Sequence, residues 1–293
     1  MNGILCLDKP ADMTSFSCCA VVRRLLGVKK VGHAGTLDPM ATGVLPLLVG
    51  NASKALDWLP VHDKSYTATL RFGFTSDTLD VWGQVVSTNK PLPTLADIEA
   101  ALPQFRGNIL QVPPMTSALK IDGTRLYELA RQGKTVERIA RPVTVYQLDI
   151  LDFDPVAGEL TLHCACSKGT YIRSICDDLG RELGCGAIMT ALRRTKAAGF
   201  SLNDCVTLDE ARALAQEGTL GARLLPVETV LATYPAVTVT APQAVRFRNG
   251  GALALDRLRT PVTQTVRVFA PDGTFLGLGV PADGELTIGK LFV

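Results

Sequence analysis

The hydrophobic pattern changes period several times along the chain, and each change marks an element. Residues 3–7 are an apolar run closed by Asp8-Lys9-Pro10, which predicts a short buried strand ending in a turn. Ala20, Val21, Leu25 and Leu26 then recur at helical spacing behind Thr14 or Ser15, predicting a capped helix with its arginines exposed. Residues 52–59 read as a short helix, 66–72 alternate as a strand, and 95–105 are amphipathic behind Thr94. Residues 143–153 and 159–167 predict two long strands, followed by a helix to Leu183, a strand over 187–194 and a helix over 207–217. Such alternation belongs to a mixed α/β or α+β domain. After Tyr234-Pro235 the texture becomes short β-rich pieces over 236–240, 266–270, 275–279 and 286–293, with one helix over 242–247. That predicts a domain over 1–232 and a small β-barrel-like appendage over 233–293.

Composition narrows the class. At 293 residues and 47% hydrophobic, with mean hydropathy +0.21, the chain has the apolar content for a substantial core and is excluded from the disordered class. Its eight cysteines sit mostly among apolar neighbours without paired CxxC spacing, which predicts buried free thiols in place of a zinc site or a disulfide framework. No basic leader with a long apolar core opens the chain, and the best apolar run, over 44–49, contains Pro46. The expectation is a reduced, soluble, cytoplasmic protein. A net charge of +2 does not announce a nucleic-acid partner, but its distribution is uneven. Residues 13–37 hold no acid against Arg23, Arg24, Lys29 and Lys30. The stretch 112–142 has too little apolar surface for a core of its own and carries Lys120, Arg125, Arg131, Lys134, Arg138 and Arg141. It reads as a basic surface excursion or lid suited to phosphates, with one short helix over 125–132.

Candidate chemistry concentrates in residues 31–50, VGHAGTLDPMATGVLPLLVG, where Gly32 and Gly35 bracket His33 and a lone carboxylate, Asp38, precedes Pro39. Spacing alone leaves two readings of Asp38 open: a helix N-cap with Pro39 at the first helical position, or a functional carboxylate. Lys168-Gly169-Thr170 at a helix start suits an anion. Other motifs fail. Gly133-Lys134-Thr135 has Glu128 where a phosphate loop needs glycine, and the glycines at 277 and 279 are followed by Pro281 and no helix. His33, His62 and His163 are too scattered for a zinc helix, and no nucleophile elbow is present.

The segment Gly32-His-Ala-Gly-Thr-Leu-Asp38-Pro-Met-Ala-Thr-Gly43 closely resembles the catalytic motif of the TruB family of tRNA pseudouridine synthases. Further matches follow in family order over nearly the whole chain. These are Leu7-Asp-Lys-Pro10 with Thr14-Ser15, Ser117-Ala-Leu-Lys120 with Leu126-Tyr-Glu-Leu-Ala-Arg131, and Lys168-Gly-Thr-Tyr-Ile-Arg173 with Asp177-Asp-Leu-Gly180. The resemblance implies an α+β fold with a mixed, largely antiparallel sheet, an RNA-gripping insertion over about 112–142 and a C-terminal PUA-like domain. It implies isomerisation of uridine to pseudouridine at position 55 in the T-arm loop of tRNA, with base flipping, no cofactor and no metal. A stand-alone monomer without an obligatory protein partner is expected, because the long basic tails of guide-dependent relatives are missing. A tRNA-folding role could accompany the chemistry. By the same resemblance Asp38 is the catalytic carboxylate, Arg173 its ionic partner, Tyr66 the ring that stacks on the target base, Tyr171 and Leu192 further pocket walls, and His33 a support for the flipped loop. Residues 73–83 depart from the family pattern at Ser76, Val81 and Trp82, and this loop is expected to be structural.

Overall fold

Threonines set the starts of three helices. Thr14 Oγ1 accepts the Ser17 N–H at 2.9 Å, and Thr94 and Thr207 form reciprocal boxes with Asp97 and Glu210. The helices they open span Ser15–Leu25, Leu95–Ala101 and Leu208–Gln216. The computed structural model describes residues 1–121 and 123–293. Two compact units make up the chain: Met1–Pro39, Val44–Val61 and Ala198–Val293 form one, Met40–Gly43 and His62–Ala197 the other.

In the first unit the strand Gly3–Lys9 pairs in parallel with Val206–Thr207 and lies beside the strand that runs on to Val49. The 44–49 run is thus strand despite Pro46, and Val31–His33 pairs antiparallel with its end, His33 facing Leu47. The short helix expected over 52–59 forms over Gly50–Trp58, as a 3-10 helix. The C-terminal portion builds a five-stranded, mostly antiparallel sheet in the order Ala236–Thr238, Val266–Phe269, Phe275–Ala282, Glu285–Leu291, Leu253–Ala254. Its own core gathers Val237, Val268, Leu276 and Leu286 around Phe247 from the helix Ala241–Arg248. Burial of Phe247 alone is worth about 1.5–3 kcal/mol.

The second unit is an antiparallel sheet in the order Ala187–Ala197, Lys64–Phe72, Glu159–Cys166, Arg141–Asp154, Gly107–Gln111. Both long strands expected near 143 and 159 form. The edge strand Gly107–Gln111 was not legible, because its few residues follow a proline-bearing 3-10 turn and carry no strict alternation. The helix Ile172–Glu182 packs on the Ala187–Ala197 strand so closely that a Cβ at Gly180 would overlap the backbone of Ala187. Along its other edge the Ala187–Ala197 strand carries two short parallel partners: Asp80 opposite Met189, then Thr42 and Gly43 opposite Arg193 and Arg194. The fold is mixed α+β. No helix among the described residues is long and apolar enough to cross a membrane.

Candidate active site

Asp38 occupies a turn between strands, so the helix-cap reading does not hold: Pro39 and Met40 form a turn, and the chain re-enters extended structure at Thr42. Both neighbouring peptides are fixed. Leu37 donates its N–H to Ser15 Oγ at 2.9 Å, and the Leu37 carbonyl accepts from the same hydroxyl at 3.2 Å, with both residues buried. On the other side the Pro39 carbonyl accepts from Lys9 Nζ at 3.0 Å; Lys9 is fully buried and also donates to the Pro10 carbonyl at 2.7 Å. Asp38 itself stays half-buried between these anchors. A charged group held at a fixed angle and still accessible is what a reactive carboxylate requires. His33, also half-buried, lies on the same short excursion, where the following Ala34 N–H donates to the Pro46 carbonyl at 2.9 Å.

In the second unit the strand register sets Tyr66 opposite Arg194 and Leu192 opposite Ala68. Positions 66 and 68 share a face of the sheet, so Tyr66 and Leu192 are diagonal neighbours on it. Both are nearly buried. Arg194 has no exposed surface and hydrogen-bonds the Tyr66 phenol. Burial raises that phenol to about 12 while the arginine charge pulls it back, so Tyr66 is uncharged at neutral pH. It presents a flat ring and a hydroxyl, and can take up a proton only if its own leaves in the same step.

Tyr171 and Arg173 sit at the start of the Ile172–Glu182 helix. Tyr171 is positioned through its backbone: its N–H donates to Gln111 Oε1 at 2.7 Å, and its carbonyl accepts from Gln111 Nε2 at 3.0 Å. The buried Gln111 amide thus holds Tyr171 through both its N–H and its carbonyl. Arg173 is 5% exposed and its guanidinium is held by the Thr78 carbonyl at 3.0 Å, by the hydroxyl of Thr116 and by its carbonyl at 3.0 Å, and by the buried Asp80 carboxylate at 3.5 Å. The 73–83 loop, expected to be structural, therefore supplies the anion that orients Arg173.

The expected lid residues all belong to the second unit but do not form one patch of common character. Arg125 and Arg131 both stack on the Tyr127 ring, at 5.8 and 5.4 Å. Lys120 pairs with Arg125 between the strands Lys120–Ile121 and Thr124–Arg125, Arg138 donates to the Pro113 carbonyl at 3.1 Å, Arg141 begins the strand Arg141–Asp154, and Lys134 is exposed. The helix here is Leu126–Arg131, anchored by the buried Leu126. Beneath the lid a cavity of about 310 Å³ is lined in part by Thr135, Arg138, Asp177, Asp178 and Arg181. Burial raises both aspartates above the usual carboxylate range, against the pull of Arg181, which lies 2.7 Å from Asp177.

Sequence reasoning missed Asp80, Gln111 and Arg194. Arg194 ends the predicted strand over 187–194 and Asp80 lies in the 73–83 loop, neither with a motif to mark it, and Gln111 gave no signal, since its role is to satisfy a backbone 60 residues away. Among the described residues no three His, Cys, Asp or Glu side chains converge so as to hold a metal ion.

Comparison with known proteins bears on what these residues do. Residues 23–172 match the TruB family pseudouridylate synthase (N terminal domain), 173–232 the tRNA pseudouridylate synthase B C-terminal domain, and 235–288 the pseudouridine synthase II TruB C-terminal domain. The chain is 46% identical over 294 residues to tRNA pseudouridine synthase B of Dechloromonas aromatica, covering 100% of this chain and 96% of that protein. The corresponding protein of Ralstonia nicotianae is 46% identical over 297 residues, with 99% and 94% covered. Among solved structures, a Cbf5-Nop10-Gar1 complex superposes with TM-score 0.74 at 23% identity, covering 99% of this chain and 85% of that one, a likeness of fold.

Proposed function

The chain belongs to the TruB family of pseudouridylate synthases, and from that membership we propose that it isomerises uridine 55 in the T-arm loop of tRNA, with Asp38 as the catalytic carboxylate. It is an isomerase that converts uridine to pseudouridine in tRNA. The observation that carries this reading is the 46% identity to a tRNA pseudouridine synthase B across essentially the full length of both chains.

The reaction breaks the N1 glycosidic bond, turns the uracil while it is held, joins C5 to C1′ and releases the C5 proton while N1 takes one up. Nothing is added or removed overall, so no redox cofactor is called for. The target base must leave its stack to be reached, which favours a site with a flat apolar clamp and one well-placed carboxylate. Asp38 acts on the sugar, as nucleophile at C1′ or as base, with Arg173 as the cation that keeps it ionised. The anchored residues on both sides of Asp38 support its role as a held carboxylate, and the web of partners around Arg173 supports that of a fixed cation. Tyr66 stacks on the base and assists removal of the C5 proton, Leu192 and Tyr171 wall the pocket, and His33 supports the opened loop. The common face of Tyr66 and Leu192 on adjacent strands supports their assignment, and the clamped Tyr171 backbone supports that of Tyr171.

The reading includes RNA contacts by Lys120, Arg125, Arg131, Lys134, Arg138 and Arg141. It also includes a catalytic domain over 1–232 and a PUA-like RNA-binding domain over 233–293, for which the separate core of the C-terminal sheet is the support. It describes a cytoplasmic monomer that needs no protein partner; activity of the purified chain alone would test the last of these. Its test is a comparison of wild type with Asp38→Asn on unmodified tRNA. The variant should fold and bind but form no pseudouridine.

A further inference from the structure

Residues 81–86 expose apolar surface that the catalytic reading does not use. Trp82 is 55% exposed and Val81, Val85 and Val86 are 39, 43 and 60% exposed, on and beside a hairpin of Phe74–Ser76 with Val85–Ser87. The segment that presents the indole is rigid. Trp82 N–H donates to Asp80 Oδ1 at 3.0 Å, Thr78 Oγ1 donates to the same oxygen at 2.6 Å, and Val81 N–H donates to the Met189 carbonyl at 3.2 Å. Gln84 N–H donates to Asp77 Oδ1 at 2.8 Å, and the side-chain oxygens of Asp77, Ser76 and Thr78 close in on Gly83, where a Cβ would displace them. The other oxygen of Asp80 lies 3.5 Å from the Arg173 guanidinium. One carboxylate therefore separates the Trp82 backbone from the arginine assigned to the active site.

We propose that the Trp82 indole is a stacking platform for an unpaired base of the RNA substrate outside the reacting uridine. The proposal rests on the functional reading above, since it takes Arg173 as part of the site. Stacking on an exposed aromatic is how proteins hold unpaired nucleotides without reading their sequence. A backbone held in place beforehand has little freedom to lose on binding. Four partly exposed side chains on a two-stranded hairpin fall short of the roughly 800 Å² that a stable protein interface takes from each partner, whereas one base covers one indole. The adjacent Asp80 is buried and ion-paired with Arg173.

The test is steady-state kinetics of the full chain on a tRNA transcript, with Trp82→Ala, Trp82→Leu and Trp82→Phe, together with the change in indole emission when RNA is added. Ala and Leu should raise KM about fivefold or more, with kcat unchanged. Phe should stay near wild type, and wild-type emission should change with RNA in a manner that Trp82→Phe lacks. Leu keeps the apolar bulk, so it separates stacking from packing. Wild-type KM in the Ala and Leu variants would overturn the proposal. So would a change in sedimentation from oligomer to monomer in Trp82→Ala with KM unaltered, which would assign the patch to self-association. A wild-type protein that forms no pseudouridine would sink the functional reading; the RNA-dependent emission of Trp82 would still decide whether this surface stacks a base.

Discussion

Tyr66 and Asp80 carry sharper consequences than their burial suggests. Burial raises the Tyr66 phenol to about 12 from its ordinary value near 10, so between those limits the folded chain keeps a proton that the unfolded chain gives up. The stabilisation by the neutral phenol is complete below about pH 10 and is lost as pH rises through about 12. Tyr66→Phe removes this titration, so its stability should fall less steeply than wild type across that window, as denaturant unfolding at stepped pH would measure. Asp80→Asn keeps the shape and the Trp82 and Thr78 contacts but leaves the Arg173 charge without its buried anion. Breaking one side of such a pair costs about 3–5 kcal/mol. The expected result is a lower unfolding midpoint together with a fall in kcat, and unchanged stability would show that the pair is not a net support. Asp38 stands out as a candidate in the sequence because its glycine-rich motif is local and continuous. Asp80 does not, since its partner lies 93 positions further along and only the fold sets the two at 3.5 Å.

At the scale of elements, backbone contacts that tolerate no side chain hold the site. Gly43 has φ +102° and its Cβ would overlap the Arg194 carbonyl where the two strands run side by side. Gly43→Ala should therefore cost more than about 3 kcal/mol, combining strain at positive φ with a backbone clash. Thermal unfolding would measure it, and a near-native Tm would contradict the packing described. Gln111→Ala removes both hydrogen bonds to the Tyr171 peptide, each worth about 1 kcal/mol. Activity should fall more than stability does, because the loosened peptide carries a wall of the proposed pocket. Period and capping made the long strands and the helices behind Thr14, Thr94 and Thr207 readable. The strand ending at Val49 and the edge strand Gly107–Gln111 were obscured, one by Pro46 within an apolar run and the other by its shortness. Registers were out of reach, because pairing is chosen by the whole sheet and leaves no trace within one strand.

Across the whole molecule, the partner is a polyanion and the chain carries a net charge of only +2, so affinity must come from local patches. Removing charge at Lys134 and Arg138 should weaken tRNA binding and flatten its salt dependence by about one unit of slope for each phosphate no longer neutralised. Binding titrations at several salt concentrations would check this. An unchanged slope would remove those two residues from the interface. The fold class and the β-rich C-terminal portion were readable from texture, while the division of the chain into compact units was not. One unit takes its residues from three separate segments, which no linear composition shift records.

The most direct test of the central claim is nucleotide-resolution mapping of pseudouridine in unmodified tRNA after incubation with the purified chain and with Asp38→Asn. The account predicts complete conversion at uridine 55 with the wild-type chain, and none with a variant that still folds and binds the tRNA. Substantial pseudouridine formed by Asp38→Asn, or a wild-type chain that binds tRNA and leaves uridine 55 unchanged, would contradict it.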